Sequence, residues 1–172
     1  MQNERDVIIR YLEDAIAAER AFETQLRGFA NEGDEPEARQ MFAKHAEETR
    51  TQHQLLSERL NSLGATPSGM KSFLANMFGL APKAAQIGYD ESERTTQNLI
   101  MAFSVENSEV AMYEALALAA AAAGDSETEQ LARTIQKQEQ ETAEKIWALL
   151  PVAAERSYRK VVESEQGVQR AG

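Results

Sequence analysis

The chain has 172 residues, the length of one ordinary domain, and its 18 basic and 28 acidic residues give a net charge of −10. Because the acidic residues are interleaved with the basic ones, no basic face is available for a nucleic acid or an anionic membrane surface. The absence of cysteine excludes disulfides, thiolate metal sites and cysteine nucleophiles. No apolar run reaches the roughly 18–20 residues of a membrane-spanning helix, and no signal peptide is recognised, so we expect a cytoplasmic protein without a membrane partner.

Two long helices are predicted in the first part of the chain. Asn3 and Asp6 have the spacing of a helix cap and open a helix that runs to about Ala30. A short turn leads to Pro36, which is well suited to the first position of a second helix, and this helix runs to about Leu63. A short turn between two long helices predicts an antiparallel hairpin.

A long connection follows the second helix. Residues 64–90 contain Pro67, Pro82 and an apolar stretch at 73–80 that predicts one or two helical turns. A connection of this length can return along the bundle, so that the helices on either side of it run parallel.

A second helical hairpin occupies the last part of the chain. Asp90 with Glu93 has capping-box spacing and opens a third helix, which ends at Gly124 after an alanine run. Ser126 with Glu129 repeats that spacing and opens a fourth helix. We expect Pro151 to end the fourth helix, residues 152–163 to form a short C-terminal helix, and residues 164–172 to form a flexible tail.

These elements predict an all-α fold, because no segment alternates with the period of a strand. Four long helices joined by a short turn, a long crossover and a short turn have the topology of a ferritin-like four-helix bundle. We expect residues 1–163 to form this bundle as a single domain.

The inward face of each helix is apolar at its ends and acidic in its middle. A single glutamate on such a seam could equally lie on a solvated flank of its helix. The predicted seams, read with spacings of three and four residues, are Ile8, Leu12, Ala15, Glu19, Phe22, Leu26 and Phe29; Met41, His45, Glu48, Gln52 and Leu55, with Phe42, Leu56 and Leu60 flanking this stripe; Leu99, Ala102, Glu106, Glu109, Tyr113, Leu116 and Ala120; and Ala132, Ile135, Glu139, Thr142, Ile146 and Leu149.

The acidic positions also agree in height along the bundle. Glu19 and Glu48 lie at nearly equal distances from the first turn, and Glu109 and Glu139 at equal distances from the second. Glu106 shares a face with Glu109, one turn away. Carboxylates that converge in a core need compensating positive charge or protonation, and no seam lysine or arginine supplies the charge. A pair of metal ions would supply it, and oxygen ligands suit iron, manganese or magnesium.

Several short motifs resemble those of the ferritin-like superfamily, and in particular of the bacterial stress-associated YciE/YciF-type ferritin-like proteins. The resemblance covers about residues 8–150, in matching order on all four helices. The motifs are Tyr11-Leu-Glu-Asp with Ala18-Glu19, His45-Ala-Glu-Glu-Thr49 with Gln52, Glu106-Asn-Ser-Glu109 with Tyr113, and Glu139 to Lys145.

The resemblance implies a set of metal ligands. Glu19 and Glu48 would be the ligands of the first hairpin, and Glu106 and Glu139 those of the second. Glu109 matches an additional carboxylate of the rubrerythrin-like branch.

The sequence departs from the di-iron pattern at two positions. A di-iron bundle usually has Glu-x-x-His on its second and fourth helices. Here Thr51 and Thr142 stand three residues after the glutamates, and His45, three residues before Glu48, could reach the same site.

We therefore expect a ferritin-like protein that binds two iron or manganese ions through carboxylates and acts in oxidative or general stress protection. If it is an enzyme, the activity expected is that of a di-metal oxidase or peroxidase. The alternative is a non-enzymatic helical bundle that dimerises and binds no stoichiometric metal. The alanine run Ala115–Ala123 favours close approach of another helix, and we expect a homodimer.

Overall fold

Four α-helices form the part of the chain that the structure describes. The computed structural model describes residues 3–66 and 91–171, with side chains over 3–66 and 92–163, and contains no strand in these ranges. The all-α class is confirmed. The helices are α1 (Glu4–Asn31), α2 (Pro36–Ser62), α3 (Arg94–Ala122) and α4 (Ser126–Ala171), and a 3-10 turn at Glu91–Glu93 precedes α3.

The first hairpin begins as predicted. Asn3 caps α1 in a capping box, in which the carboxylate of Asp6 accepts the backbone N–H of Asn3 at 3.1 Å. Pro36 is the first residue of α2. In the turn between them, Gly33 has a φ of 77°, and a Cβ there would collide with the side chain of Thr95 at the start of α3. A glycine is therefore required where the turn meets the second hairpin.

The second hairpin differs from the prediction at its caps. The cap of α4 is Asp125, not Ser126, because the Asp125 carboxylate accepts the backbone N–H of Thr128 at 3.0 Å and its hydroxyl at 2.6 Å. Helix α3 begins at Arg94, after the 3-10 turn, without a side-chain cap. The predicted cap residue Asp90 lies outside the described residues.

The predicted end of the fourth helix at Pro151 is wrong, since α4 continues through this proline to Ala171. A proline inside a helix costs about 3 kcal/mol, so other contacts must offset it. Ser157 is buried, where its hydroxyl lies 2.8 Å from that of Thr96 and donates to the carbonyl of Ser92 at 2.9 Å. The segment predicted as a separate short helix is therefore the end of α4, held against the start of α3.

Ion pairs add to these contacts. Arg156 pairs with Glu35 and Lys160 with Asp34, which ties the end of α4 to the turn between α1 and α2. The flexibility of residues 164–172 stays a prediction.

The directions of the helices follow from two apolar clusters at opposite ends of the bundle. The first cluster joins the start of α1 and α4 to the ends of α2 and α3, through residues such as Ile8, Ala132, Leu60 and Ala120. Helices α2 and α3 are therefore parallel, as in the ferritin-like topology, and a crossover must connect them. The connection with its apolar stretch at 73–80 lies outside the described residues, apart from its first three residues.

The second cluster fills the other end, around Phe22, Phe29, Phe42, Leu99 and Ile146. Helix α1 packs against α2 and α3, and α4 packs against α3 and α2. None of the described helices is long and apolar enough to cross a membrane.

Candidate metal centre

A layer of buried polar side chains separates the two apolar clusters. Each helix contributes to this polar layer at the middle of its buried face, where the apolar residues of the first cluster end and those of the second begin. Every member is at most 4% exposed. The polar layer consists of Glu19 from α1; His45, Thr49 and Gln52 from α2; Glu106, Glu109 and Tyr113 from α3; and Glu139 and Thr142 from α4.

His45 lies among the carboxylates of the second hairpin. Its Nε2 is 2.7 Å from Oε1 of Glu106 and 3.9 Å from Oε2 of Glu139. One ligand atom from each of these three residues lies within 4.8 Å of the others, which brings them close enough together to hold one metal ion. The ring of Phe22 packs edge to face against the imidazole of His45, with centroids 5.8 Å apart, and provides an apolar contact on that side of the ring.

Tyr113 and Gln52 also make hydrogen bonds that cross between the hairpins in this layer. The hydroxyl of Tyr113 donates to Oε1 of Glu19. The side-chain amide of Gln52 donates to Oε1 of Glu139 and, at 3.2 Å, to Oε1 of Gln138. The bonds to Glu19 and Glu139 leave the second carboxylate oxygen of each glutamate free to accept another partner.

The free carboxylate oxygens are buried. Oε2 of Glu19, Oε2 of Glu106, Oε1 of Glu109 and Oε2 of Glu139 have no hydrogen-bond partner among the described residues. Leaving such atoms unsatisfied is costly, so buried polar groups in folded proteins are nearly always paired or bound to a metal or water. Four orphaned carboxylate oxygens in one layer fit a site for cations.

Glu19, Glu109 and Glu139 resist ionisation. Burial, followed by repulsion from Glu106, raises the pKa of Glu19 to about 8, although the Tyr113 hydroxyl partly opposes this. Burial and the neighbouring carboxylates also hold the pKa values of Glu109 and Glu139 well above their usual range. Without a bound cation, Glu19 therefore retains its proton at neutral pH, and the raised pKa values of Glu109 and Glu139 favour their protonated forms.

His45 and Glu48 show the opposite behaviour. Burial alone would lower the pKa of His45, but its contacts with Glu106 and Glu48 outweigh burial and raise this pKa to about 9. The contact with His45, aided by Lys44, lowers the pKa of Glu48 to about 2 despite partial burial. A charged imidazole is therefore the positive partner of the layer in the absence of metal.

The predicted seam of α2 has the wrong phase. Phe42, Thr49 and Leu56 are buried, whereas Leu55 is 43% exposed and Glu48 is half-exposed at the rim of the layer. The two predicted residues His45 and Gln52 do lie inside. The seams predicted for α1 and α3 are confirmed in full, and that of α4 is confirmed except at Leu149, which is partly exposed.

The six predicted metal ligands therefore fall into two groups. Five of them, Glu19, His45, Glu106, Glu109 and Glu139, lie in the polar layer. Glu48 reaches the layer from outside, with Oε2 3.5 Å from Nδ1 of His45, which is too long for a good hydrogen bond. Metal binding by these residues stays a prediction.

Sequence reasoning did not assign a role to Gln52, which supports Glu139, and it missed Thr49. The spacing of His45, Thr49 and Gln52, four and then three residues, places all three on one helical face and was the available signal.

The side chains of the layer can be compared with the ligands that a pair of metal ions prefers. Four carboxylates and one imidazole suit iron or manganese, which accept oxygen and nitrogen ligands. The histidines of the Glu-x-x-His motif are absent, with Thr142 buried at one of the two positions and Thr51 exposed at the other. The residues fit a carboxylate-rich site in which His45 is the one imidazole in the layer.

Comparison with known proteins identifies the family of this fold. Residues 3–159 match the family described as Domain of unknown function DUF892. No curated protein sequence matches the chain.

Solved structures of bacterial proteins share the fold. A protein from Xanthomonas campestris is 27% identical, with a TM-score of 0.78, and the match covers 95% of this chain and 99% of that chain. The stress protein YciF from Escherichia coli is 23% identical, with a TM-score of 0.79 and coverage of 91% and 99%. A ferritin-like, diiron-carboxylate protein from Bacillus anthracis is 18% identical, with a TM-score of 0.71 and coverage of 87% and 99%. The predicted ferritin-like fold of the YciF type is confirmed.

Proposed function

Since this chain belongs to the DUF892 family and has a ferritin-like fold, we propose that it binds two iron or manganese ions in the polar layer and acts in oxidative or general stress protection. One observation carries the proposal. Four buried glutamates, each with an orphaned oxygen, share one layer with a buried histidine between two apolar clusters. Such a layer is unfavourable in an empty core and favourable around cations.

The residues divide naturally between two ions. His45, Glu106 and Glu139 lie close enough together to hold one of them. Glu19 and Glu109, whose carboxyl groups repel each other and that of Glu106, have free oxygens for the second. These five side chains would carry both ions, with Glu48 at the rim.

Metal binding is coupled to protons in this layer. In the metal-free protein Glu19 holds a proton at neutral pH, and the raised pKa values of Glu109 and Glu139 favour their protonated forms. Carboxylates bind metal in the ionised form, so loading releases these protons, and affinity rises with pH.

When bound, the ions supply Lewis-acid and redox chemistry toward dioxygen or peroxide. Other side chains of the bundle orient the glutamates that would bind the ions and exclude water from the layer. Tyr113 holds Glu19 through one oxygen, and Gln52 holds Glu139 in the same way. The apolar clusters above and below exclude bulk solvent from the layer, which strengthens electrostatic interactions inside it.

A second candidate function is a helical bundle that works without stoichiometric metal. The absence of both Glu-x-x-His histidines favours it, as do the hydrogen bonds that His45, Tyr113 and Gln52 already make to carboxylates. In this case protonation alone would neutralise the layer.

Metal content per chain separates the two candidates. The protein is purified without a metal-affinity tag, loaded anaerobically with ferrous or manganous ion, and measured by mass spectrometry. We expect close to two ions per chain, and a clear loss in Glu139→Gln and Glu106→Gln. The matched control is Glu141→Gln, since Glu141 lies on the same helix but is half-exposed beside Lys137.

Substoichiometric metal that is unchanged in both core variants would contradict the metal proposal and favour the second candidate. If the protein does bind close to two ions per chain, consumption of peroxide or dioxygen by the loaded protein tests whether the bound metal is catalytic.

A further inference from the structure

Two polar contacts connect the buried layer to side chains at the surface of the protein. His45 contacts Glu48, whose side chain is 42% exposed. Gln52 is buried, and its Nε2 donates to Oε1 of the exposed Gln138 at 3.2 Å. Among the residues that the structure describes with side chains, no other member of the layer makes a polar contact with an exposed side chain.

Both contacts lie on the side of α2 that faces α4. Glu48 and Gln52 are four residues apart on α2 and therefore share a face of the helix. From this face Gln52 reaches both Gln138 and Glu139 of α4. The hairpins meet where α1 packs on α3 and where α2 packs on α4, and the second of these packs less extensively. The path from solvent to Glu139 at this seam passes Gln138 and then Gln52.

The amide of Gln52 has an unused acceptor. Its Nε2 donates to Gln138 and to Glu139, whereas its Oε1 is buried and has no hydrogen-bond partner among the described residues. Such an atom is costly to leave unpaired. Amide oxygens are ligands of hard cations, and a neutral ligand holds a cation less tightly than a carboxylate does. A buried amide oxygen between solvent and Glu139 therefore suits a cation that passes and does not stay.

An ion can reach the layer only if a side chain moves, since every member of the layer is at most 4% exposed. Turning Gln138 outward breaks the hydrogen bond that it accepts from Gln52, and exposed side chains change rotamer rapidly. Opening the layer from above or below would instead disrupt the close packing of an apolar cluster. The seam between α2 and α4 is thus the least costly place to open.

We propose that divalent cations enter the polar layer between α2 and α4, and that the side chains of Gln52 and Gln138, the amide pair, close this entrance. When Gln138 turns toward solvent, Gln52 is released on its outer side, and its Oε1 becomes available to pass a cation to Glu139. Glu48 places a carboxylate beside the entrance, which attracts cations. The inference rests on the proposed function, because it concerns the route to the same site.

The first test measures the rates of metal uptake and release. Cobaltous ion is the probe, its visible absorption is followed by stopped flow, and release is started with a chelator. Gln138→Ala removes the outer half of the amide pair, so both rates are expected to rise by about two- to tenfold, the range for one hydrogen bond. A residue on the route affects both directions equally, so the affinity and the number of ions bound should not change.

The matched control is Gln140→Ala. Gln140 is the same residue type and is also exposed on α4, but two positions along a helix turn its side chain by about 200° from that of Gln138. Uptake and release in this variant are expected to equal those of the unmodified protein.

The second test changes the charge at the entrance. Uptake of cobaltous ion at low ionic strength is expected to be about tenfold faster in Gln138→Glu than in Gln138→Lys, because the two side chains differ by two charges. Gln140→Glu and Gln140→Lys give the chain the same two net charges and should differ much less. Circular dichroism checks that all variants keep their helicity.

The outcomes separate the route from the proposed function. Stoichiometric binding with equal rates in the Gln138 and Gln140 variants overturns the route and leaves the metal site standing. A weaker affinity or fewer ions in Gln138→Ala also overturns it, since Gln138 would then be a ligand. If the unmodified protein binds no stoichiometric cobalt, both the route and the proposed function are wrong.

Discussion

Each of the two hairpins of this bundle places a pair of glutamates at the same height, but the two pairs differ in burial. Glu109 and Glu139 of the second hairpin are both buried. In the first hairpin Glu19 is buried, but Glu48 is half-exposed. Distance from a turn sets the height of a residue, whereas the rotation of the helix about its own axis sets the direction of its side chain.

The difference also shapes the chemistry of the polar layer. The second hairpin contributes three carboxylates, and the first contributes one carboxylate, an imidazole and an amide. The amide of Gln52 and the imidazole of His45 both contact carboxylates of the second hairpin. The layer is thus mostly acid on one side and mostly hydrogen-bond donor on the other.

Among single substitutions, the largest expected effect comes from removing a buried acid of the second hairpin. In the metal-free protein, Glu109→Leu should raise stability by about 1–4 kcal/mol, because it replaces an unsatisfied buried carboxyl group with an apolar side chain of similar size. A rise of about 2–4 °C in melting temperature per kcal/mol is expected by calorimetry.

The control is Glu48→Leu in the first hairpin. Because contacts with His45 and Lys44 lower the pKa of Glu48, its removal should lower the melting temperature slightly. Equal shifts for both variants would show that the two hairpins do not differ.

A smaller effect is expected from removing the hydrogen bond between Tyr113 and Glu19, which links the two hairpins. Tyr113→Phe removes the donor to Glu19 and leaves a second carboxyl oxygen unpartnered, at an expected cost of about 1–3 kcal/mol in the stability of the metal-free protein. Chemical denaturation measures it. Tyr158→Phe is the control, because Tyr158 is 69% exposed. A change no larger than the control's would mean that this hydrogen bond does not support Glu19.

The last expected effect is a pH dependence of stability, which is spread over several pH units. The pKa of Glu19 rises from 4.5 to about 8 on folding, and that of His45 from 6.5 to about 9. Their folded forms favour the proton, so the stability that they contribute is lost as pH rises through these values. The melting temperature of the metal-free protein should therefore fall between about pH 5 and pH 9.

Glu48 has the opposite sign. The stability due to its lowered pKa is present above 4.5 and is lost only as pH falls toward about 2. Circular dichroism melts across pH measure both limbs, and Glu19→Gln should reduce the fall at higher pH. A flat profile above pH 5 in the metal-free protein would contradict the raised pKa values.

Much of this architecture follows from sequence alone. Periodicity, turn residues and connection lengths predicted four helices in the ferritin-like order, and the buried faces of α1 and α3 agree with the prediction residue by residue. Those two faces could be predicted because Glu19, Glu106 and Glu109 each interrupt an otherwise continuous apolar stripe.

Two features were decided only by tertiary structure. The stripe of α2 has polar residues at adjacent positions, so local pattern could not distinguish a face through Glu48 from one through Thr49. Packing against α1 and α4 chose the second, because it buries Phe42 and Leu56. Likewise, Pro151 is a local signal to end a helix. Contacts that Ser157 and Arg156 make with residues far away in sequence override this signal. The sequence determined which segments of the chain are helical and at what height along the bundle their acidic residues lie. Packing determined which side chains face inward, because burial depends on neighbours from other helices.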